Sequence, residues 1–343
     1  MEWFWLVVAL GVILGGAELF TNGVEWVGAG FGLSEGAVGS VLAAVGTALP
    51  ETVLPFIAIA LGHDTGREIG VGAILGAPLM LTTLAMFVLG VTVLVFSRLG
   101  GRGREIRADP RVPRLDLGVF LGLFALAVGA GLWHWKPFHW ALAGVLVLAY
   151  GLYVGAHFRS PVDKAVAREA VGEIKPLYLR RMLRRSPGPP SRPPPWASVV
   201  QTLIGLAVIV GGARLFVTVV TDLAERFHVR PLPFALLVAP VATELPEIFN
   251  ASVIWARRGK DTLAVGNITG AMVFQAVFPV AIGLLFTPWR LSHESLVAAV
   301  VALGAGGMLY SSLALRGRFG PKLLLLQGAI YVGFIGYLVA RSA

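Results

Sequence analysis

An all-α membrane protein, with ten transmembrane helices arranged as two inverted five-helix repeats, is the fold class this sequence predicts. Three observations carry that reading. The chain is 56% hydrophobic and only 14% charged, with a mean hydropathy of +0.78 over 343 residues, whereas a soluble domain keeps far more charge on its surface. It contains ten apolar runs of about 20 residues, the length that crosses a ~30 Å hydrocarbon core. One short motif also occurs twice, in related settings.

The apolar runs lie near 2–21, 36–61, 68–97, 115–133, 138–157, 197–220, 232–256, 262–287, 292–314 and 320–340. The first follows Met1-Glu2-Trp3-Phe4-Trp5 with no basic stretch ahead of it and no small-residue cleavage site behind it, so it reads as a retained span. Connections are short except for residues 158–196, which are basic and end in Ser-Pro-Gly-Pro-Pro-Ser-Arg-Pro-Pro-Pro. Such a stretch is a linker, too polar to fold by itself. It separates a first unit, 1–157, from a second, 197–343. Five spans is an odd number, so the second unit must enter the membrane upside down relative to the first.

Lys and Arg set the orientation. With the N-terminus outside, the inner connections hold 21 of them and the outer segments 6, with Arg214 left inside a span. Positive residues stay on the cytoplasmic side, which places the protein in the cell membrane as a multi-pass chain with linker 158–196 in the cytoplasm. The net charge of +9 is then explained by this bias and by anionic lipid headgroups, without nucleic acid. Cys is absent, which excludes disulfides, thiolate metal sites and a cysteine nucleophile.

The repeated motif is Gly46-Thr47-Ala48-Leu49-Pro50-Glu51 and Ala242-Thr243-Glu244-Leu245-Pro246-Glu247. A carboxylate inside a span costs roughly 2.5–3.5 kcal/mol on insertion scales and marks a functional site by default. The proline before each Glu removes a backbone donor, and loosened backbone at that depth is tolerated where it lines a cavity or an ion. The surroundings repeat as well. Leu14-Gly15-Gly16-Ala17-Glu18-Leu19-Phe20 matches Val210-Gly211-Gly212-Ala213-Arg214-Leu215-Phe216, and Gly72-Ala73-Ile74-Leu75-Gly76-Ala77 matches Gly266-Asn267-Ile268-Thr269-Gly270-Ala271. Inverted repeats of this kind place a substrate site near the midplane, between the halves.

Residues four apart share a helix face, so Thr47 pairs with Glu51 and Thr243 with Glu247, and Glu244 also looks inward. The result is an all-oxygen set with several negative charges, suited to a hard divalent ion such as Ca²⁺ and unlike a soft-metal site. Three close acids cannot all stay ionised without a cation, so at least one takes up a proton when the metal leaves. The amide oxygens of Asn267 and Gln275 are further candidate ligands. Glu18 and Arg214 occupy matched positions with opposite charge. They read as side chains snorkelling to span ends, with a salt bridge across the pseudo-two-fold, or an Arg214–Glu244 pair, as alternatives. The six histidines and most tryptophans fall at span ends and read as interfacial.

These residues resemble the sodium/calcium exchanger membrane family, whose two alpha-repeats carry Gly-Thr-Ser-Leu-Pro-Glu on one helix and Gly-Asn-x-x-Gly-Ser-Asn on the next. The resemblance runs through Gly16–Phe20, Gly32–Glu35 and Gly46–Glu51, then Thr243, Leu245–Glu247, Gly266, Asn267 and Gly270, with the two motifs spanning 46–81 and 242–275. It implies that Glu51 and Glu247 bind Ca²⁺ and that Thr47 and Thr243 supply oxygens to Ca²⁺ and Na⁺. The chain departs from the pattern at Ala48 and Glu244 in the motif, at Ala73, at Ala77 and Ala271, and at Leu81 and Gln275, where the family places an acid or amide. These departures remove most side-chain oxygens offered to Na⁺, and a proton on Glu51, Glu244 or Glu247 is the substitute.

The expected function is a secondary antiporter exchanging Ca²⁺ or a similar divalent cation for Na⁺ or H⁺ by alternating access. It needs no cofactor, and with no nucleotide motif it is driven by ion gradients. The alternatives are a divergent family member of other cation selectivity and a non-transporting binding protein. A membrane enzyme would require a Ser–His or His-cluster arrangement, and none stands in the sequence. Linker 158–196 carries no acidic calcium-loop pattern, so no cytosolic calcium sensor is expected.

Overall fold

The computed structural model describes residues 2–30, 43–60, 64–100, 102–159, 176–179, 194–227, 230–249, 252 and 255–342. The first half contains α1 (Glu2–Gly30), α2 (Ala43–Ala60), α3 (Asp64–Met80), a π-helical turn (Leu81–Ala85), α4 (Met86–Arg98), α5 (Arg111–Ala130) and α6 (Lys136–Arg159). The second contains α7 (Pro195–Phe227), α8 (Pro231–Phe249), a 3₁₀ turn (Ala256–Arg258), α9 (Asp261–Gln275), α10 (Phe278–Phe286), α11 (His293–Arg316) and α12 (Pro321–Ser342). No strand occurs among the described residues.

Eight helical segments are long and apolar enough to cross a membrane, and two shorter apolar ones, Pro50–Ala60 and Pro231–Val241, bring the total to ten. The two short ones belong to the motif helices. Prolines inside them interrupt the backbone ladder: Pro50 and Pro55 in α2, and Pro240 and Pro246 in α8. Below, the face where α1 begins and α12 ends is called the terminal face, and the face carrying residues 158–196 the linker face.

Two expected boundaries move. The stretch 22–35, read as a connection, is helical as far as Gly30, and α7 runs for 33 residues. At ~1.5 Å per residue α7 is about 50 Å long, so a helix of that length crosses at a tilt or emerges from the hydrocarbon. The third and eighth apolar runs are also broken in the middle. The first break is the π-turn beginning at Leu81, and the second is the gap after Gln275. These two residues occupy aligned positions in the two motifs. In the first, the hydroxyl of Thr82 donates to Pro78 O at 2.8 Å and that of Thr83 to Leu79 O, side-chain bonds to carbonyls just ahead of the π-turn. In the second, Pro279 near the start of α10 cannot continue the ladder from α9.

The inverted symmetry is visible in the packing of α1 on α7. A methyl group added at Gly16 would lie 2.9 Å from Ile209 Cγ1 and 3.0 Å from Val208 Cγ1. One added at Gly212 would lie 2.9 Å from Ile13 Cγ1 and 3.0 Å from Val12 Cγ1. The two contact sets exchange under a shift of 196 residues, the shift that relates Glu51 to Glu247. Small residues let the backbones approach, as lipid-embedded helices require. The adjacent Gly15 and Gly211 have nothing within 4 Å.

The rest of the core forms around α3, α5, α9 and α11. Ile74, Leu75, Leu79, Phe120, Phe124 and Trp289 are fully buried there, and the Trp289 indole donates to Ala127 O at 2.9 Å. At the linker face, Arg102 in the loop before α5 forms a buried pair with Asp261 at 2.8 Å and also donates to Ala256 O. With Arg107 N donating to Asp261 Oδ2 at 2.7 Å, the loop fixes the start of α9.

A short piece of the linker docks on the α1–α7 pair. Leu177 is buried. Tyr178 N donates to Asn22 Oδ1 at 3.2 Å, the Tyr178 hydroxyl to Glu18 Oε1 at 2.6 Å, and Leu179 N to Gln201 Oε1 at 2.7 Å. Among the described residues Glu18 thus meets Tyr178 rather than Arg214, which is exposed on the outer side of α7.

The glycine pairs give a matched test. Gly16→Leu and Gly212→Leu should each lower the melting temperature of the detergent-solubilised protein, because overpacking of this kind costs about 1–3 kcal/mol. Gly15→Leu and Gly211→Leu should leave it within error.

Candidate functional site

The site begins with three buried polar side chains that apolar helices would not otherwise tolerate. Glu51 on α2 is 4% exposed, and Glu244 on α8 and Gln275 at the end of α9 are 0% and 1% exposed. Each is placed by a break in regular structure: Glu51 follows Pro50, Glu244 lies two residues before Pro246, and Gln275 is the last residue before the α9–α10 interruption.

The Gln275 side-chain amide joins them. Its Nε2 donates to Glu51 Oε2 at 2.5 Å and to Glu244 Oε1 at 2.6 Å. An amide NH₂ carries two hydrogens, so one group serves both acids, which come from opposite repeats. Hydrogen bonds to ionised acceptors are short and strong, and the amide's orientation follows from this network. Thr243, one position before Glu244, is also buried, and its hydroxyl donates to Ala239 O at 3.4 Å.

Of the seven residues singled out from the sequence, Glu51, Glu244 and Gln275 are brought into one hydrogen-bonded group. Thr243 is buried beside it on α8. Asn267 is half-buried on α9, eight residues before Gln275. The side chains of Thr47 and Glu247 lie outside the described residues, and so does the expected third carboxylate. Among the described residues no group of three or more His, Cys, Asp or Glu converges. Two carboxylates and an amide offer oxygen donors only, which suits a hard cation. At the position aligned with Gln275, the first repeat has the fully buried Leu81, so the site is asymmetric.

On the terminal-face side α3 lies tightly against α8: a methyl at Gly72 would meet Leu232 O at 2.9 Å and Ala235 Cβ at 3.0 Å, and one at Gly76 would overlap Leu236 O. On the linker-face side the first-repeat residues that match Leu232, Ala235 and Leu236 lie outside the described residues. The aligned glycines there, Gly266 and Gly270, have as described neighbours Val112 and Tyr153 of α5 and α6, at 3.5 and 3.9 Å.

Comparison with known proteins follows from this geometry. The sequence profile of the sodium/calcium exchanger protein family matches residues 1–159 and 197–342. The chain belongs to that family. Relatives include CaxA of Alkalimonas amylolytica, 23% identical over 97% of this chain and 96% of that protein. Another is the inner membrane protein YrbG of Escherichia coli (strain K12), 26% identical over 82% of this chain and 79% of that one. Among solved structures, the H⁺/Ca²⁺ exchanger CAX superposes with a TM-score of 0.67 at 15% identity, covering 99% of this chain and 88% of the other. The sodium-calcium exchanger NCX_Mj superposes with a TM-score of 0.55 at 21% identity, covering 98% of both chains. The fold is therefore the exchanger fold, and this family member is a membrane transporter rather than an enzyme.

Asp116, Asp261 and Glu294 are buried acids that escaped the sequence reading. Asp116 is 1% exposed and bound by three donors from α6 and α9. It sits at the predicted start of a span, where an acid passes for a headgroup-level residue. The available signal was its position inside an apolar run that continues from Leu115. His157, read as interfacial, is one of those donors. His139 is likewise buried, with Nε2 against Ala130 O at 3.0 Å and Trp133 O at 2.7 Å.

Gln275→Leu removes the donor shared by two buried carboxylates, and charge-assisted hydrogen bonds are worth about 1.5–3 kcal/mol each. The metal-free melting temperature should fall, and saturating Ca²⁺ should raise it by more than it raises the wild type. Thermal denaturation with and without Ca²⁺ measures both shifts.

Proposed function

We propose that this exchanger-family member is a secondary antiporter that moves Ca²⁺ or a similar divalent cation in exchange for protons. The observation that carries the reading is the Glu51–Gln275–Glu244 bridge: two acids from opposite repeats share one donor at the centre of the bundle. In the metal-free state Gln275 holds the acids through its NH₂ group. A divalent cation entering between them would take the carboxylate oxygens as ligands, and rotation of the amide would present its oxygen in place of its hydrogens. Glu247, Thr47, Thr243 and Asn267 complete the proposed ligand set.

The protonic counter-ion follows from the donor set. Na⁺ needs several neutral oxygens, and Ala48, Ala73, Ala77, Leu81 and Ala271 offer none from their side chains. Carboxylates that lose a divalent ion in an apolar interior are neutralised at least cost by protons. The inverted repeat supports alternating access: α3 on α8 closes the terminal-face side of the site through Gly72 and Gly76, and exchange of that packing with its repeat-related counterpart would open it. The excess of Lys and Arg assigns the linker face to the cytoplasm.

In proteoliposomes, Ca²⁺ uptake should be driven by an imposed pH gradient and only weakly by a Na⁺ gradient. Glu51→Gln and Glu247→Gln should each abolish it, and Glu244→Gln should reduce it at least about tenfold, since an intramembrane acid of this kind is functional. Uptake that follows the Na⁺ gradient would reassign the counter-ion. Uptake that persists in both abolishing variants would reject the site.

A further inference from the structure

A second buried acid lies apart from the central site and is hydrogen-bonded to the helix that carries Gln275. Asp116 on α5 accepts three hydrogen bonds: from the Tyr153 hydroxyl at 2.9 Å and His157 Nε2 at 3.0 Å, both on Oδ1, and from the Thr269 hydroxyl at 2.5 Å on Oδ2. Thr269 is on α9, six residues before Gln275, or about 9 Å along the helix. Asp116 itself is five residues, about 8 Å, inside the linker-face end of α5. The His157 side chain is 21% exposed, whereas Asp116 is 1% exposed. The cluster thus has one partly exposed member and one contact that leads to the helix of the central site.

A carboxyl group enclosed by apolar helices requires hydrogen-bond donors and, for any charge it carries, a compensating partner. The surrounding elements offer few. On α5, Arg111 and Arg114 are exposed, and Arg111 is drawn to Asp109. On α9, Asp261 is held by Arg102. On α11, packed against α5, Tyr310 lies beside Gly118 and Arg316 is exposed. The short α10, packed on α6, contains no ionisable residue. Among the described side chains, His157 is the group in contact with Asp116 that can carry a positive charge. It is also the type that ordinarily changes charge between pH 5 and 8.

We propose that Asp116 and His157 form a proton-binding site, distinct from the central carboxylates, that exchanges one proton with the solution at the linker face and reports its occupancy to α9 through Thr269. With the proton bound, imidazolium and carboxylate form a neutral pair and α5, α6 and α9 are drawn together. With the proton released, the pair carries a charge of minus one and Asp116 is left with hydrogen bonds but no neutralising partner charge. Since Thr269 and Gln275 are on one helix, the occupancy of this site biases the helix that completes the central site. The proposal extends the H⁺-coupled reading above, but its first test does not require transport.

That test is a ¹⁵N-histidine NMR titration of the full-length protein in lipid nanodiscs. One imidazole resonance, absent in His157→Gln, should titrate with a single-proton midpoint between pH 5 and 8. Asp116→Asn should displace that midpoint by about one unit or more. His157→Gln keeps an N–H donor toward Asp116, so its melting temperature should match the wild type. The second test is Ca²⁺ flux with the linker-face pH varied: His157→Gln should lose an inflection that the wild type shows, while retaining flux at alkaline pH. A His157 resonance that does not titrate in this range, that is indifferent to Asp116→Asn, or that responds to Na⁺ at fixed pH would overturn the proposal. Absence of wild-type flux alongside a titrating His157 would count against the antiport reading alone.

Discussion

Two carboxylates from opposite halves of the chain share one amide in the middle of an apolar bundle, and the rest of the architecture is organised around making that arrangement tolerable. Neither Glu51 nor Glu244 could be left there alone. Both are buried, and an ionised acid without donors or a cation is among the most costly groups a span can carry. Gln275 provides two hydrogens at a point where helix α9 has already ended. The helix interruption is therefore part of the same solution. It frees backbone groups, positions the amide, and leaves a place where oxygen ligands outnumber neighbours that could compete for them.

The inverted repeat supplies the acids, and its imperfect symmetry makes the site usable. Gly16 on Ile209 and Gly212 on Ile13 are nearly interchangeable contacts, so the long helices α1 and α7 retain the two-fold relation. Among the inner helices, α3 is seated on α8 through Gly72 and Gly76, and α9 meets α5 where Thr269 donates to Asp116. A sequence with two related halves can pack either half tightly, and one pocket cannot be closed on both sides by the same contacts and still release an ion. The docked linker residues Leu177–Leu179 bridge α1 and α7 at the linker face through Asn22 and Gln201, which ties the outer pair without touching the inner helices' freedom.

Much of this was legible from residue types. The ten spans followed from apolar length, and the motif helices from Pro next to Glu. The expectation of a site at Glu51 and Glu247 followed from the cost of a charge in a span, with Glu244 read as also looking inward. Gln275 was legible only as an amide on the second motif, because its partners are 224 and 31 residues away. Asp116 and His157 were misplaced for a physical reason. Hydropathy reads depth along one helix, and both residues sit near helix ends where a polar group ordinarily meets headgroups. Neighbouring helices cover Asp116 from the side, a direction that no single-helix pattern records. The breaks at Leu81 and Gln275 were not read either: Pro78 and Pro279 stand near them, but each lies within a continuous apolar run that reads as one span.

The sequence by itself determined that this chain crosses a membrane many times, that its halves carry related motifs, and that acids fall inside apolar runs at matched places. Those outcomes depend on composition, periodicity and local chemistry, all of which are written along the chain. Only the tertiary structure decided which acids share a donor, which face of the bundle is closed, and which polar residue near a helix end is buried. Those depend on how far one helix stands from another. That spacing is settled by the sum of many side-chain contacts between segments hundreds of residues apart, and no local pattern encodes it.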